Sequence, residues 1–282
     1  MKSVFTAAAV TAALALSGGA IAQEKLYGTN QDTRIGLAVK LPEATLNKLL
    51  PAGWESNPAA NGANLNIVLV NGISSQDAEG KPGKPNTGVA LTAPVKKTGT
   101  SETGAMVMTG LFAPHYAPGA YGVFMPAKVS IDRKLHTDAE GTTTADETWD
   151  LKSEDGHSIH IHVAYVRGAP NRMKSEAKVY SSAKPEFFRI YRVEQGMDVV
   201  RGGSGGDRVK ALSIKATGPK LASILNGSEQ VVSVTAIPWY SRQGFRCRQD
   251  TRPRSRRCSW SHPCSGPRRC GCSCGRRSHP AS

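Results

Sequence analysis

The chain has 282 residues, with 36 lysines and arginines against 22 acidic residues, a formal net charge of +14, and six cysteines. Such a charge is typical of proteins that bind nucleic acid or a membrane surface. However, residues 246–282 hold ten arginines, all six cysteines and a single acidic residue, so this segment carries +9 of the total. The rest of the chain is only weakly basic, which argues against a nucleic-acid partner.

The segment 246–282 is rich in Arg, Ser, Pro, Gly and Cys and poor in Leu, Ile and Val. It cannot bury enough apolar surface to offset its chain entropy, so we predict a disordered C-terminal tail. A basic arm that binds phosphates and a metal knuckle are two possible origins, although the cysteine spacing does not match paired metal ligands. The composition favours a third origin, a frameshift product, and we expect no functional contribution from it.

The N-terminus is typical of a secretory signal peptide at residues 1–22. A short basic start precedes an uncharged, largely apolar stretch at residues 4–16, and Ala20-Ile21-Ala22 forms a cleavage site. The apolar stretch is too short to span a bilayer. We therefore expect a periplasmic or secreted protein that has no membrane segment after cleavage. Its domain, residues 23–245, has no cysteine and must rely on its hydrophobic core.

Along this domain, residues 24–40 lead into a short helix at 41–50, which begins with Pro42 in its first turn. Residues 72–86 form a polar loop, and Pro219 begins a second short helix at 219–225. Most of the remaining sequence alternates with a period of two and is rich in β-branched and aromatic residues. Strands are predicted at residues 65–70, 87–95, 105–112, 120–131, 142–151, 158–166, 187–193, 209–214 and 231–237.

These elements predict a mainly β (α+β) fold: a single β-barrel-like domain with a central cavity and two short helices. The G-x-S-x-G motif of common hydrolases does not occur, and no cysteine is available in the domain as a nucleophile.

His160 and His162 stand on a predicted strand with one residue between them, so their side chains share a face. Two neutral imidazoles at this spacing can form half of a Zn or Fe site. A third ligand would have to come from elsewhere in the chain, with four candidates: His115, His136, Glu147 and Asp150. The alternative is a solvated face of an amphipathic strand whose isoleucines are buried.

Lys128 lies in a strand-like stretch with apolar neighbours, after Phe124 and Met125. A lysine in an apolar cavity has a lowered pKa and can form a Schiff base with a ketone, which then acts as an electron sink. Lys128 is therefore the candidate catalytic residue, and the alternative is a strand lysine that faces water.

Several segments together resemble the acetoacetate decarboxylase-like superfamily. Residues 41–54 resemble its N-terminal helix and proline motif, residues 91–95 its following strand, and residues 185–190 and 218–240 its final strands. Residues 125–128, Met-Pro-Ala-Lys, lie near the expected place of the family's proline–lysine–lysine catalytic segment. The resemblance implies a β-rich barrel that encloses a cavity.

The family's catalytic lysine pair is incomplete here, because Ala127 precedes Lys128 where the family has a second lysine. The family also has an acidic residue shortly before this pair, whereas residues 119–125 contain none. The resemblance therefore implies the family's fold more directly than its decarboxylase activity.

Three functional hypotheses follow. The first is an exported enzyme, of lyase or decarboxylase type, that acts on a small keto or hydroxy acid through Lys128 and needs no cofactor. Arg133 is its expected carboxylate anchor, and Phe124 and Met125 are its expected substrate-binding residues. The second is a non-catalytic periplasmic protein that binds a small ligand in the same cavity. The third is a metal protein that uses His160 and His162.

Overall fold

The computed structural model describes residues 24–202 and 206–246, so the predicted signal peptide and residues 247–282 of the predicted tail lie outside the described residues. Strands and two short helices make up most of the described chain. In chain order they are β1 (Lys25–Lys40), α1 (Glu43–Asn47), β2 (Trp54–Ser56), β3 (Leu65–Asp77), β4 (Pro82–Gly83), β5 (Thr87–Lys97), β6 (Thr103–Phe112), β7 (Phe124–Pro126), β8 (Lys128–Thr137), β9 (Thr143–Lys152), β10 (Ser158–Val166), β11 (Asn171–Ser181), β12 (Phe188–Arg201), β13 (Val209–Thr217), α2 (Pro219–Ala222) and β14 (Gln230–Arg246).

The larger sheet closes on itself. Strands β5, β3, β1, β14, β12, β11 and β6 pair in that order, and β6 pairs back to β5. The predicted mainly β fold is thus confirmed, but the sheet is a ring-like arrangement rather than a strict barrel. The ring is irregular for two reasons. Strands β11 and β6 pair in parallel over three residue pairs only, and several other strand pairs contain bulges.

The smaller sheet covers one side of the ring. Its strands are antiparallel and lie in the order β13, β10, β9, β8. Its inner face carries the fully buried Trp149, Ile159 and Ile161, which share one hydrophobic core with ring residues such as Ile35 and Leu69. Burial of this apolar face against the ring holds the two sheets together.

The ring strands therefore have two buried faces. In β1, Ile35 belongs to the core beneath the small sheet, whereas the preceding Arg34 points into the ring. In β3, Leu69 and Val70 alternate in the same way, since Val70 belongs to a second core inside the ring. Burial on both faces explains the continuous apolar run of residues 67–70, because a strand with one solvated face would alternate apolar and polar residues.

The two predicted helices are confirmed, although both are shorter than expected. Leu46 of α1 and Leu221 of α2 are buried, and each helix begins beside a proline. In the part of the chain that the structure describes, no helix has the length and hydropathy needed to cross a membrane.

Some strand predictions were wrong. Lys25–Lys40 of the predicted lead-in form strand β1, and β11 was not predicted. The strand predicted at residues 120–131 begins only at Phe124 and is divided between β7 and β8, and the predicted loop at 72–86 contains the end of β3 and strand β4. Strand β14 continues to Arg246, beyond the predicted end at residue 237.

The extension of β14 depends on a bulge at Pro238. Arg34 of β1 pairs with Ile237, but Asp32 pairs with Tyr240, so β14 has one extra residue between these pairs. The pairing with β12 shifts at the same place. The bulge accommodates a proline inside a long strand, where a regular ladder would require its missing N–H group.

Candidate functional site

The interior of the ring contains a cavity of about 200 Å³. Its walls are mostly apolar, because most of the ring strands direct small apolar or aromatic side chains inward. Examples are Val70, Ala90, Val107, Phe112 and Val193. Concave, largely apolar cavities with a few polar groups are the usual form of small-molecule sites.

Two charged groups of β1 line this cavity and neutralise each other. Arg34 contacts Asp32 through two hydrogen bonds, from Nε to Oδ1 at 2.5 Å and from Nη2 to Oδ2 at 3.0 Å. Asp32 is buried, and the Arg34 guanidinium carbon lies 3.3 Å from the centroid of the Tyr240 ring. This pair is therefore held in place by bidentate and cation–π contacts.

Arg242 is the second guanidinium in the cavity, and its charge is not neutralised in this way. It stacks over Tyr191, with 4.3 Å between its guanidinium carbon and the ring centroid. Asn30, with its amide oxygen turned toward the guanidinium, accepts a hydrogen bond from Nη2 at 2.8 Å. Arg242 forms no ion pair within residues 24–202 and 206–246, and its buried Nε has no hydrogen-bond partner there. Such a donor can bind an anion.

A tyrosine pair adds neutral hydrogen-bond donors to the same cavity. The Tyr121 hydroxyl donates to the Tyr191 oxygen at 2.7 Å. Burial, together with their mutual interaction, raises the pKa of Tyr121 well above its usual value, and burial also raises the pKa of Tyr191. Both hydroxyls therefore keep their protons at physiological pH, and the Tyr191 proton can be donated to a ligand.

A wider space of about 670 Å³ adjoins the ring cavity. Arg242, Asn86 and Tyr116 line both spaces, so we call the wider space the vestibule. Arg189 also lines the vestibule, where it stacks over Tyr27 at 3.9 Å, and its buried Nε has no hydrogen-bond partner among the described residues. Arg189 and Arg242, each with an Nε that has no partner among the described residues, thus both line the vestibule.

Lys128 does not line the ring cavity. It is the first residue of β8 and lies on the exposed face of the small sheet, while its neighbour Val129 packs against the core. Lys152 is its direct partner on β9, and both lysines line a surface pocket of about 300 Å³ together with Pro126 and Asp155. The structure thus places Lys128 in contact with solvent rather than in an enclosed apolar cavity.

The three predicted substrate-binding residues lie apart from one another. Phe124 is buried and forms part of the ring cavity wall, whereas Met125 points the other way and packs against the core beneath the small sheet. Arg133 points inward from β8 and is bound by Glu147, with Nη2 3.0 Å from Oε2. Glu147 is buried and also accepts a hydrogen bond from Trp149. Arg133 thus already has a carboxylate partner within the protein.

His160 and His162 share the outer face of β10, as their spacing predicts. His160 Nδ1 lies 2.8 Å from Asp150 Oδ1, and His162 Nε2 lies 3.1 Å from Asp146 Oδ1. Within the described residues, no group of three His, Cys, Asp or Glu side chains is placed to hold a metal ion. The metal hypothesis stays a prediction.

The charged residues of the ring cavity were not among the candidates from the sequence. Arg34 lies in the unpredicted strand β1, and Arg242 lies beyond the bulge at Pro238. The patterns Asp32-x-Arg34 and Tyr240-x-Arg242 place polar and aromatic residues at alternate positions. Because residues two apart in a strand share a face, this spacing could have predicted that these side chains line one surface.

Comparisons with known proteins find related folds. The structure is similar to the enduracididine biosynthesis enzyme MppR with HEPES buffer bound, with a TM-score of 0.50, 11% identity, and coverage of 89% of this chain and 99% of that one. It is also similar to MppR complexed with the condensation product of pyruvate and imidazole 4-carboxaldehyde, with a TM-score of 0.49, 13% identity, and coverage of 86% and 97%.

A third similar structure is an acetoacetate decarboxylase-like enzyme from Sphingomonas wittichii RW1, with a TM-score of 0.47, 11% identity, and coverage of 83% of this chain and 96% of that one. No protein-family model and no curated protein sequence matches the chain significantly. The resemblance to the acetoacetate decarboxylase-like superfamily is thus confirmed as a likeness of fold.

Proposed function

We propose that this protein binds a small organic carboxylate non-covalently in the ring cavity, with Arg242 as the anchor. The observation that carries the proposal is the charge of Arg242, which no acidic residue of the described chain neutralises, in an otherwise mostly apolar cavity. A guanidinium with unused donors favours a planar anion such as a carboxylate.

The other polar groups of the cavity are also compatible with a bound anion. Asp32 is occupied by Arg34, so it does not repel an incoming anion as a lone carboxylate would. The Tyr191 hydroxyl, which keeps its proton, can donate a second hydrogen bond. The cations that line the cavity are arginines, which do not form Schiff bases, and this favours binding over lysine-based catalysis.

Titration calorimetry on the purified protein with a panel of monocarboxylates tests the proposal. The native protein is expected to bind at least one of them, and Arg242→Gln is expected to weaken that binding by about tenfold or more, the usual effect of losing a charge-assisted hydrogen bond. Arg172→Gln is a matched control, because Arg172 lies on β11 and pairs with Glu194 outside the cavity. Equal binding by the native protein and Arg242→Gln would contradict the proposal.

A second candidate function is lyase chemistry at Lys128, and the observation that favours it is the direct pairing of Lys128 with Lys152. The Lys152 ammonium can bind the carboxylate of a keto acid while the Lys128 amine forms a Schiff base with its ketone. Borohydride reduction in the presence of a β-keto acid is expected to add the reduced adduct's mass to Lys128, and Lys128→Ala is expected to abolish it. Lys134→Ala, also on the exposed face of β8, is the control. An unmodified mass would exclude this chemistry.

Export is part of the proposed setting of this function. The mature protein is expected in the periplasm or the medium, with an N-terminus at Gln23, because the predicted cleavage site follows Ala22. N-terminal sequencing of the fractionated protein checks this. An uncleaved cytoplasmic product would contradict it.

A further inference from the structure

From the shape and polarity of the ring cavity we infer a ligand class: an aromatic monocarboxylate of about the size of benzoate, bound with its ring inside and its carboxylate at the mouth. This inference rests on the proposed function and specifies the ligand of that same site.

The size and lining of the cavity fit an aromatic ring. An apolar protein cavity of roughly 150 Å³ can bind benzene, and the ring cavity measures about 200 Å³. Pyruvate or acetoacetate has little apolar surface, so either acid would leave the walls formed by Val70, Val107 and Val193 without a partner. An aromatic ring would cover these walls and exclude water from them.

The cavity also has an aromatic wall. Phe112 lies 4.4 Å from Phe124 and 5.0 Å from Tyr116, measured between ring centroids, and the ring planes are tilted in both pairs. All three side chains line the cavity. A bound aromatic ring could add a further tilted or edge contact to this group, which an aliphatic ring of the same size cannot make as well.

The positions of the two arginines orient the ligand. Arg242 lies where the cavity meets the vestibule, and Arg189 lies on the vestibule side. The vestibule also contains Lys81 and Asp77, but Asp77 Oδ1 already accepts hydrogen bonds from two backbone N–H groups. A carboxylate is therefore favoured at the mouth, between the two guanidinium groups, while the apolar end is favoured inside.

Calorimetry with benzoate, pyruvate and benzyl alcohol tests this inference on the native protein. Benzoate is expected to bind about tenfold or more tightly than pyruvate, because only benzoate fills the apolar walls. It is also expected to bind about tenfold or more tightly than benzyl alcohol, which has the ring but not the charge. These comparisons use different ligands on one protein and do not depend on how well a variant folds.

Variants then locate the carboxylate. Arg189→Gln and Arg242→Gln are each expected to weaken benzoate binding by about tenfold, whereas Arg172→Gln leaves it unchanged. Pyruvate binding that equals or exceeds benzoate binding would overturn the inference and leave the proposed function intact. Benzyl alcohol binding as tight as benzoate binding, or unchanged benzoate binding in both variants, would also overturn it. Failure of benzoate to bind while another acid of the monocarboxylate panel binds would overturn the inference alone, and failure of the whole panel would overturn the proposed function itself.

Discussion

Arg34 and Arg242 line the same cavity, but they differ in whether a carboxylate neutralises the guanidinium charge. Arg34 stabilises the buried Asp32, whereas Arg242 has tyrosine and amide neighbours and, among residues 24–202 and 206–246, no carboxylate partner. A charge that is desolvated without a partner lowers the stability of the folded state. A bound anionic ligand would offset this cost, because it would supply the partner that the guanidinium lacks.

Methionine substitutions are expected to separate these two roles. Arg34→Met leaves Asp32 buried without its partner, so the free energy of unfolding is expected to fall by about 3 kcal/mol. Arg242→Met removes an unneutralised charge, so the free energy of unfolding is expected to stay unchanged or to rise by about 1 kcal/mol. Urea denaturation measures both values. A larger loss of stability for Arg242→Met than for Arg34→Met would contradict this account.

The pH dependence of ligand binding follows from the tyrosine pair. Burial raises the pKa values of Tyr121 and Tyr191, so their hydroxyl donors are lost only when the pH rises through those raised values, well into the alkaline range. The guanidinium groups stay charged, and a ligand carboxylate is ionised above about pH 5. Carboxylate affinity, measured by calorimetry, is therefore expected to stay constant between about pH 6 and pH 9. A clear loss of affinity across this range would point to a different titrating anchor.

At the scale of secondary structure elements, β14 decides which residues enter the ring. Before the bulge at Pro238, Val234 and Ala236 point toward the core beneath the small sheet; after it, Tyr240 and Arg242 point into the ring. In a regular strand, these four even-numbered residues would all lie on the same face. The extra residue of the bulge reverses the two faces, so the residues after the bulge point to the other side.

The closure of the ring depends on glycines where β5 meets β6. A Cβ atom added at Gly88 would lie 2.3 Å from the Leu111 carbonyl oxygen, and one at Gly110 would lie 2.3 Å from the Val89 carbonyl oxygen. Gly88→Ala and Gly110→Ala are each expected to lower the free energy of unfolding by about 2 kcal/mol, because the backbones must move apart. Gly36→Ala on β1 is the matched control, since no atom of the described residues beyond its chain neighbours lies within 4 Å of its added Cβ. Thermal unfolding measures all three, and equal melting temperatures would contradict the role of these glycines.

Arg133 connects the small sheet to the ring. From β8 it contacts Glu147 of β9, and it also donates hydrogen bonds to the Thr33 hydroxyl of β1 at 3.3 Å. Arg133→Met is expected to lower the free energy of unfolding by about 2 kcal/mol, because Glu147 is left buried without its cation, and to leave carboxylate affinity unchanged. Lys134→Met, which alters only an exposed pair with Asp132, is the control. Lost binding without lost stability would instead support Arg133 as the carboxylate anchor.

Most strands of this fold could be predicted because their period of two and their turn residues are local properties of the sequence. The bounds of β10 match the prediction, and both helices begin near their predicted prolines. Strand β1 was missed because polar residues such as Asp32 and Arg34 interrupt its apolar pattern, although they face the inside of the ring. Closure of the ring and the bulge at Pro238 are long-range features, and they determine the site.

At the scale of the whole molecule, two of the three hydrophobic cores of the described chain have different properties. The core beneath the small sheet contains large, fully buried side chains such as Trp149, Leu37 and Ile161, and it holds the sheets together. The core inside the ring is incompletely filled and contains the charged and hydroxyl groups. Stability is thus provided mainly on one side of the ring wall, which leaves the other side available for a ligand.

A crystal structure of the native protein soaked with benzoate tests the central claim most directly. We predict density for the aromatic ring among the apolar walls of the ring cavity, with the carboxylate in hydrogen-bond contact with the Arg242 guanidinium. Benzoate bound only outside the ring, for example beside Lys128, or an empty ring cavity at a saturating benzoate concentration, would contradict the claim.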